Sequence, residues 1–249
     1  MLSDTQLQRK LEILSNKLRL GNYDEVISDA LTLLKKNKHQ VLFNILSLAY
    51  QSKGELKNSE KIMDDALKLN PNNPYFLNNM GITQHKMINF LKAEEFFMKG
   101  LKIAPDYINI LNNLGNLKRD LDQSDEAIKY YKKSLSINPN VIETLFNISI
   151  CYQSLGNFKQ AKINLKNLLK INPKFTSADR LISSMTNYKD DSDHLNEMKN
   201  KQAKFELNEI ELANLFFGLG KAYEDLNEYK ISFDNYKKGN DLLKKNSSF

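Results

Sequence analysis

Four of the chain's five prolines, Pro71, Pro105, Pro139 and Pro173, are spaced 34 residues apart. Other residue types keep the same step: Ala93, Ala127 and Ala161; Asn79, Asn113 and Asn147; Ile103, Ile137 and Ile171. A fixed period of this length implies a stack of short units rather than one core closed on itself. Such units bury their apolar faces against their neighbours and present an extended surface, so binding is the class of function the period favours.

The units read as helical. Within 108–141, Leu111, Leu114 and Gly115 recur at i, i+3 and i+4. After a break near Asp122–Ser124, Ala127, Tyr131, Ser134 and Leu135 do the same. Each unit is therefore two amphipathic helices joined by a short turn. The Asn-Pro pairs at Asn138-Pro139 and Asn172-Pro173 stop the second helix. Proline has no N–H for a helix interior and pushes the preceding residue out of the α region. The periodic alanine marks a close helix crossing, where a larger side chain would hold the two helices apart.

These units resemble tetratricopeptide repeats, a family with Leu-Gly in its first helix, Tyr soon after, Gly at the turn, Ala in the second helix, then an aromatic, a small residue and Pro. The third unit carries Met80, Gly81, Ala93, Phe97, Gly100 and Pro105; the fourth Leu114, Gly115, Ala127, Tyr131, Ser134 and Pro139. The fifth carries Ile148, Ser149, Tyr152, Gly156, Ala161, Leu165 and Pro173; the second Leu46, Tyr50, Gly54, Ala66 and Pro71, with Ser59 in place of the first alanine. The first is degenerate: Gly21, Tyr23 and Ala30 fit, but Lys38 stands where Pro belongs. The resemblance implies an all-α fold, a tetratricopeptide repeat solenoid of antiparallel helix pairs wound as a right-handed superhelix. It would run through 1–249 as a single array, with five 34-residue repeats over 7–175, an atypical helical unit at 176–212 and a final repeat at 213–245. In the atypical unit, 176–187 reads as a helix, and Asp190, Asp191, Ser192 and Asp193 supply the start of another reaching Gln202. The tail, Asn246-Ser247-Ser248-Phe249, carries no structural signal.

Charge and chemistry narrow the function further. No apolar run approaches the roughly 20 residues of a membrane span. The start, Met1 to Lys10, is polar and has no secretory pattern. A cytoplasmic protein without membrane contact is expected. The net charge of +6 would suit nucleic acid, but the lysines, such as Lys129, Lys132, Lys133, Lys159, Lys162 and Lys166, are scattered among Asp, Glu, Asn and Gln, and nucleic-acid binding is not expected. The one cysteine, Cys151, excludes an internal disulfide and reads as a buried small residue. His39, His85 and His194 fall in different units, so no shared metal site or triad is expected. Gly218-Leu219-Gly220-Lys221 lacks the strand and spacing of a phosphate loop and sits where the repeat wants packing glycines. No catalytic residue, metal or cofactor is predicted, and the chain reads as a non-enzyme.

In tetratricopeptide arrays the exposed face of the first helix lines a groove, which implies a protein or extended peptide as partner. Here that face carries Asn109, Asn113 and Asn116, with Asn112 and Arg119 beside them. Asn79 and Asn147 continue the row in the adjoining units; Ile45 breaks it in the second, with Asn44 one step away. An amide offers donor and acceptor together, so such a row suits a peptide backbone of any sequence. The row resembles the asparagine ladder of protein O-linked N-acetylglucosamine transferases, although asparagine is abundant throughout and the same row follows from composition alone. Tyr75, Phe146 and Ile150 either add apolar contacts to the groove or pack within the array. A second resemblance covers about 190–245. Phe216 through Leu226, then Tyr229, Phe233 and Lys238-Gly239-Asn240, with Asp193 through Met198 upstream, look like the last repeat of bacterial proteins that join tetratricopeptide repeats to a sulfotransferase domain. It implies recruitment of substrate to a group-transferring enzyme, with a downstream transferase domain as partner. The alternatives are an assembly scaffold and the repeat region of a glycosyltransferase.

Overall fold

The computed structural model describes residues 4–190 and 192–246; the expectations for Met1–Ser3, Asp191 and Ser247–Phe249 fall outside them. Among the described residues there are fourteen α-helices and no strand. They divide into two compact units, Met1–Leu121 and Asp122–Phe249. The first holds α1 (Asp4–Arg19), α2 (Tyr23–Leu34), α3 (Gln40–Ser52), α4 (Leu56–Leu69), α5 (Pro74–Lys86), α6 (Phe90–Ile103) and α7 (Ile108–Asp120). The second holds α8 (Ser124–Ile137), α9 (Ile142–Ser154), α10 (Phe158–Ile171), α11 (Thr176–Ser184), α12 (Asp193–Lys204), α13 (Glu209–Asp225) and α14 (Tyr229–Asn246). Consecutive helices pack as pairs, α5 on α6, α9 on α10 and α13 on α14.

The punctuation of these helices follows from single residues. Helices α4, α6, α8 and α10 each stop two residues short of a periodic proline, and Asn70, Ala104, Asn138 and Asn172 take φ between −142° and −128°. The next first helix can then be capped at once. Asn73 Oδ1 accepts from the backbone N–H of Tyr75 and Phe76, with Pro74 at the first helical position, where no N–H is needed. Within a pair the first helix ends on a residue in the left-handed region: Gly21, Gly54 and Gly156, but also Ile88, Asp122 and Asn227. The backbone N–H of Glu55 returns to Tyr50 O, that of Asn89 to Gln84 O and that of Asn157 to Tyr152 O. These are Schellman closures, which turn the chain sharply and satisfy the last free carbonyls.

The periodic alanines Ala30, Ala66, Ala93, Ala127 and Ala161 are fully buried, and Cys151 with them. Ser59, the departure from alanine, is buried in a hydroxyl cluster, 2.9 Å from Ser47 Oγ and 2.8 Å from Thr83 Oγ1. Gln51 Nε2 reaches both Ser47 and Thr83, so the extra polarity is satisfied within the core. The second unit departs from the repeat geometry at α11, which is nine residues long and ends without a left-handed turn. The acidic start of α12 does not cap as the sequence predicts. Ser192 makes no side-chain cap, because its backbone already holds the αR conformation, and Asp190 instead accepts from Asn187.

Candidate functional site

Helices α3, α5 and α7 begin three successive pairs, and α5 packs beside both α3 and α7. At this seam asparagines meet. Asn79 Nδ2 donates to Asn44 Oδ1 at 2.9 Å, and Asn113 Nδ2 donates to Asn78 Oδ1 at 2.8 Å. Asn78 Nδ2 lies 3.4 Å from Asn79 Oδ1. A polarised run of amides therefore crosses three helices, from Asn113 through Asn78 and Asn79 to Asn44. Asn78 and Asn79 are 5% and 8% exposed. Burial obliges an amide to find partners, and the amide of the next helix is the one in reach. Asn79, expected as an open rung, is thus a tie between repeats. Asn44, one step off the row, belongs to the tie, and Ile45 is core.

The remaining predicted residues of this unit are accessible. Asn109 is exposed, and Asn112, Asn113, Asn116 and Arg119 are half-buried along α7. Tyr75 is 54% exposed, with its ring edge-on to Tyr107 at 5.2 Å. Asn113, Asn116 and Arg119 line a cleft of about 440 Å³ between α5 and α7, closed on its other side by His85, Ile88 and Phe90. Arg119 spends Nε and Nη2 on Asp120 Oδ1 at 3.2 and 3.1 Å, while His85 Nε2 lies 3.1 Å from Asp120 Oδ2. The guanidinium charge is therefore matched inside the cleft, and the polar surface left to a ligand is mainly neutral amide. The sequence reading missed His85, Phe90 and Asp120. His85 precedes Arg119 by one 34-residue period, so the step that picks out Arg119 also picks out His85.

In the second unit Phe146 and Asn147 are half-buried on α9, with Phe146 edge-on to Phe175 at 5.2 Å. The unit also gathers a polar chain that sequence spacing did not suggest. Asp179 accepts from Lys201 Nζ at 2.9 and 2.6 Å, and His194 Nε2 lies 3.3 Å from the same carboxylate. His194 Nδ1 is 2.6 Å from Tyr188 OH, which is 2.8 Å from Ser183 Oγ. The order acid, imidazole, hydroxyl has a catalytic look, but Asp179, His194, Tyr188 and Ser183 are each 3% exposed or less, so no substrate reaches them. The chain joins α12 to α11. Gly218 and Gly220 are packing glycines: a β-carbon at Gly220 would stand 2.8 Å from the Tyr236 ring, and Lys221 is engaged by Asp225 and Thr186 O. Among the described residues no group of three or more His, Cys, Asp or Glu side chains is placed to hold a metal ion, and no helix is long and apolar enough to cross a membrane.

A search of curated proteins gives no match. Solved structures of similar fold are numerous. A tetratricopeptide repeat protein from Parabacteroides merdae aligns at 16% identity over 94% of this chain and 92% of its own, with a TM-score of 0.62. PilW, a type IV pilus biogenesis factor, aligns at 21% identity over 80% and 91%, with a TM-score of 0.64. YrrB, described as a tetratricopeptide repeat protein with an unusual peptide-binding site, aligns at 17% identity over 84% and 97%, with a TM-score of 0.53. At such identities the likeness is one of fold. Sequence models of the tetratricopeptide repeat match residues 41–73 and 106–174 directly. Those two segments are tetratricopeptide repeats, and the helix pairs around them have the fold of that repeat.

Proposed function

We propose that the chain is a protein- or peptide-binding repeat module that receives an extended segment on the face formed by α5 and α7. The observation that carries this reading is the grouping of accessible amides, Asn109, Asn112 and Asn116, with the exposed ring of Tyr75 and a cleft whose one arginine is already paired. Amides can donate to and accept from a peptide backbone at once, and aromatic surface adds contact area without dictating sequence. In this reading the chain acts in the cytoplasm without a cofactor or a catalytic residue. A partner that is a transferase of the sulfotransferase type is the finer version, supported by the likeness of 190–245 to repeats that accompany such domains. An assembly role is the competing one, and PilW, among the structures of similar fold, is named as a biogenesis factor.

The test is selection of random decapeptides on the immobilised full chain, followed by anisotropy with a selected peptide. The triple change Tyr75→Ala, Asn109→Ala, Asn116→Ala is expected to weaken binding by about tenfold or more, since each lost neutral hydrogen bond contributes roughly 0.5–1.5 kcal/mol. The melting curve should not move, because all three residues lie outside the core. Failure to enrich any peptide, or unchanged affinity in the triple variant, overturns the reading.

A further inference from the structure

In the second unit we infer that Arg180 of α11, held by Asn214 and Phe217 of α13, is a subsite for the carboxylate of an acidic side chain in a bound peptide. The inference deepens the peptide-binding reading and rests on it. It begins with residue choice. The chain has 36 basic residues, and four of them, Arg9, Arg19, Arg119 and Arg180, are arginine. Where a charge serves solubility this chain uses lysine, so an arginine marks a place where the planar fork or its stacking surface matters. Arg180 also falls on the periodic step, 34 residues after Phe146 and 68 after Asn112. It therefore occupies the row of first-helix positions that face outward.

The side chain is exposed yet held. Its Cζ lies 4.5 Å from the centroid of the Phe217 ring, within the range of cation–π stacking. Nη1 donates to Asn214 Oδ1 at 3.3 Å. Asn214 is itself fixed, because Nδ2 donates to Ser177 Oγ at 3.2 Å and to Ile210 O at 3.1 Å. The helices can approach this closely because the residue after Phe217 is Gly218. A β-carbon there would stand 2.9 Å from Met198 Sδ and 3.6 Å from Arg180 Cα.

What the arrangement leaves over is charge. Among the described residues Arg180 forms no ion pair, whereas Arg119 has Asp120, Lys201 has Asp179 and Lys221 has Asp225. The acid that shares a face with Phe217, Glu224 at i+7, accepts from Tyr236 OH at 3.0 Å. A guanidinium has five N–H groups, and one of these is committed, to a neutral acceptor. The unstacked edge remains for a carboxylate, which a guanidinium takes with two parallel bonds. Holding a long side chain in one rotamer opposes its conformational entropy by up to about 2 kcal/mol, so that ordering is already done before a ligand arrives.

Two capped hexapeptides differing only in a central Glu or Gln test this against the intact chain, with the Arg180 Nε–Hε resonance as readout. The Glu peptide should shift that resonance saturably and bind about five- to tenfold more tightly than the Gln peptide, the scale of one partly exposed charge-assisted pair. Arg180→Gln should erase the preference. Arg180→Lys, which keeps the charge but loses the fork, should lose most of it; melting curves of both variants check that unit 2 stays folded. Equal response to the two peptides, equal shifts at Arg9 and Arg19, or full preference in Arg180→Lys each overturns the subsite. Failure of the random selection would sink the binding reading instead, whatever Arg180 does.

Discussion

Ile88→Gly should stabilise the first unit by about 1 kcal/mol. Ile88 closes the turn between α5 and α6 with φ at 63°, where Gly54 and Gly156 do the same job at 74° and 72°. A β-branched residue in the left-handed region carries strain of about 2 kcal/mol, from the range of roughly 1–3 for such outliers. Glycine removes it but enlarges the unfolded ensemble, which takes back about 0.4–1 kcal/mol. The isoleucine side chain is 72% exposed, so little burial is lost, about 0.5 kcal/mol against the 1.5–3 of a fully buried one. The turn's bonds, Ile88 N to His85 O and Asn89 N to Gln84 O, need no side chain and persist. Urea unfolding with an unchanged slope is the assay. The reciprocal change, Gly156→Ile, should destabilise the second unit by about 1–2 kcal/mol, since nothing stands within 4 Å of its missing β-carbon and strain is the whole effect. Loss of stability in Ile88→Gly beyond about 0.5 kcal/mol would refute the strain argument and assign Ile88 a packing role in the cleft.

Four further outcomes follow from the same structure. Ala161→Glu, at a fully buried crossing, should cost about 2–4 kcal/mol in chemical denaturation, and a change under about 0.5 would mean the register is wrong. Asn79→Ala should cost about 1–3 kcal/mol by stranding buried amides, whereas Asn109→Ala, exposed, should stay within about 0.5; equal costs would dissolve the distinction between tie and contact. Asp179→Ala should destabilise the second unit by about 3–5 kcal/mol because it leaves Lys201 buried without a counter-charge, and a loss under about 1 would mean solvent reaches the site. Burial, with the hydrogen bond to Glu224, pushes the Tyr236 phenol up to about 12 from 10.0, so the folded state holds that proton more tightly. Stability from this group is intact below pH 10 and is lost as pH rises from 10 toward 12; Tyr236→Phe should flatten that part of the profile, and an identical profile would count against the burial.

The helix pairs were open to sequence reading because proline, alanine and the turn residue each do one job repeated every 34 residues. A search at that step finds residues with the same role in each unit. Contacts between units join different roles, and their offset differs: Asn79 meets Asn44 and Asn113 meets Asn78, both 35 residues back. The row Asn79, Asn113 was visible for that reason, while its bonding was not, and Asn44 looked like a gap. Charge matching was hidden in the same way. Arg119 is neutralised by Asp120, its own neighbour on α7, and Asp120 is shared with His85 one period before Arg119. The atypical stretch failed for the opposite reason. There α12 is anchored by Lys201 and His194 on Asp179, a buried polar contact that replaces the repeat's apolar seam and leaves no period to detect. An amide on a first helix becomes a tie or a ligand contact according to how close the adjacent first helix comes. That spacing is set by partners such as Gly81, whose β-carbon would stand 2.5 Å from Phe97 of α6. It belongs to pairs of helices rather than to any one repeat, which is why Asn79 and Asn109 read alike in sequence and differ in burial.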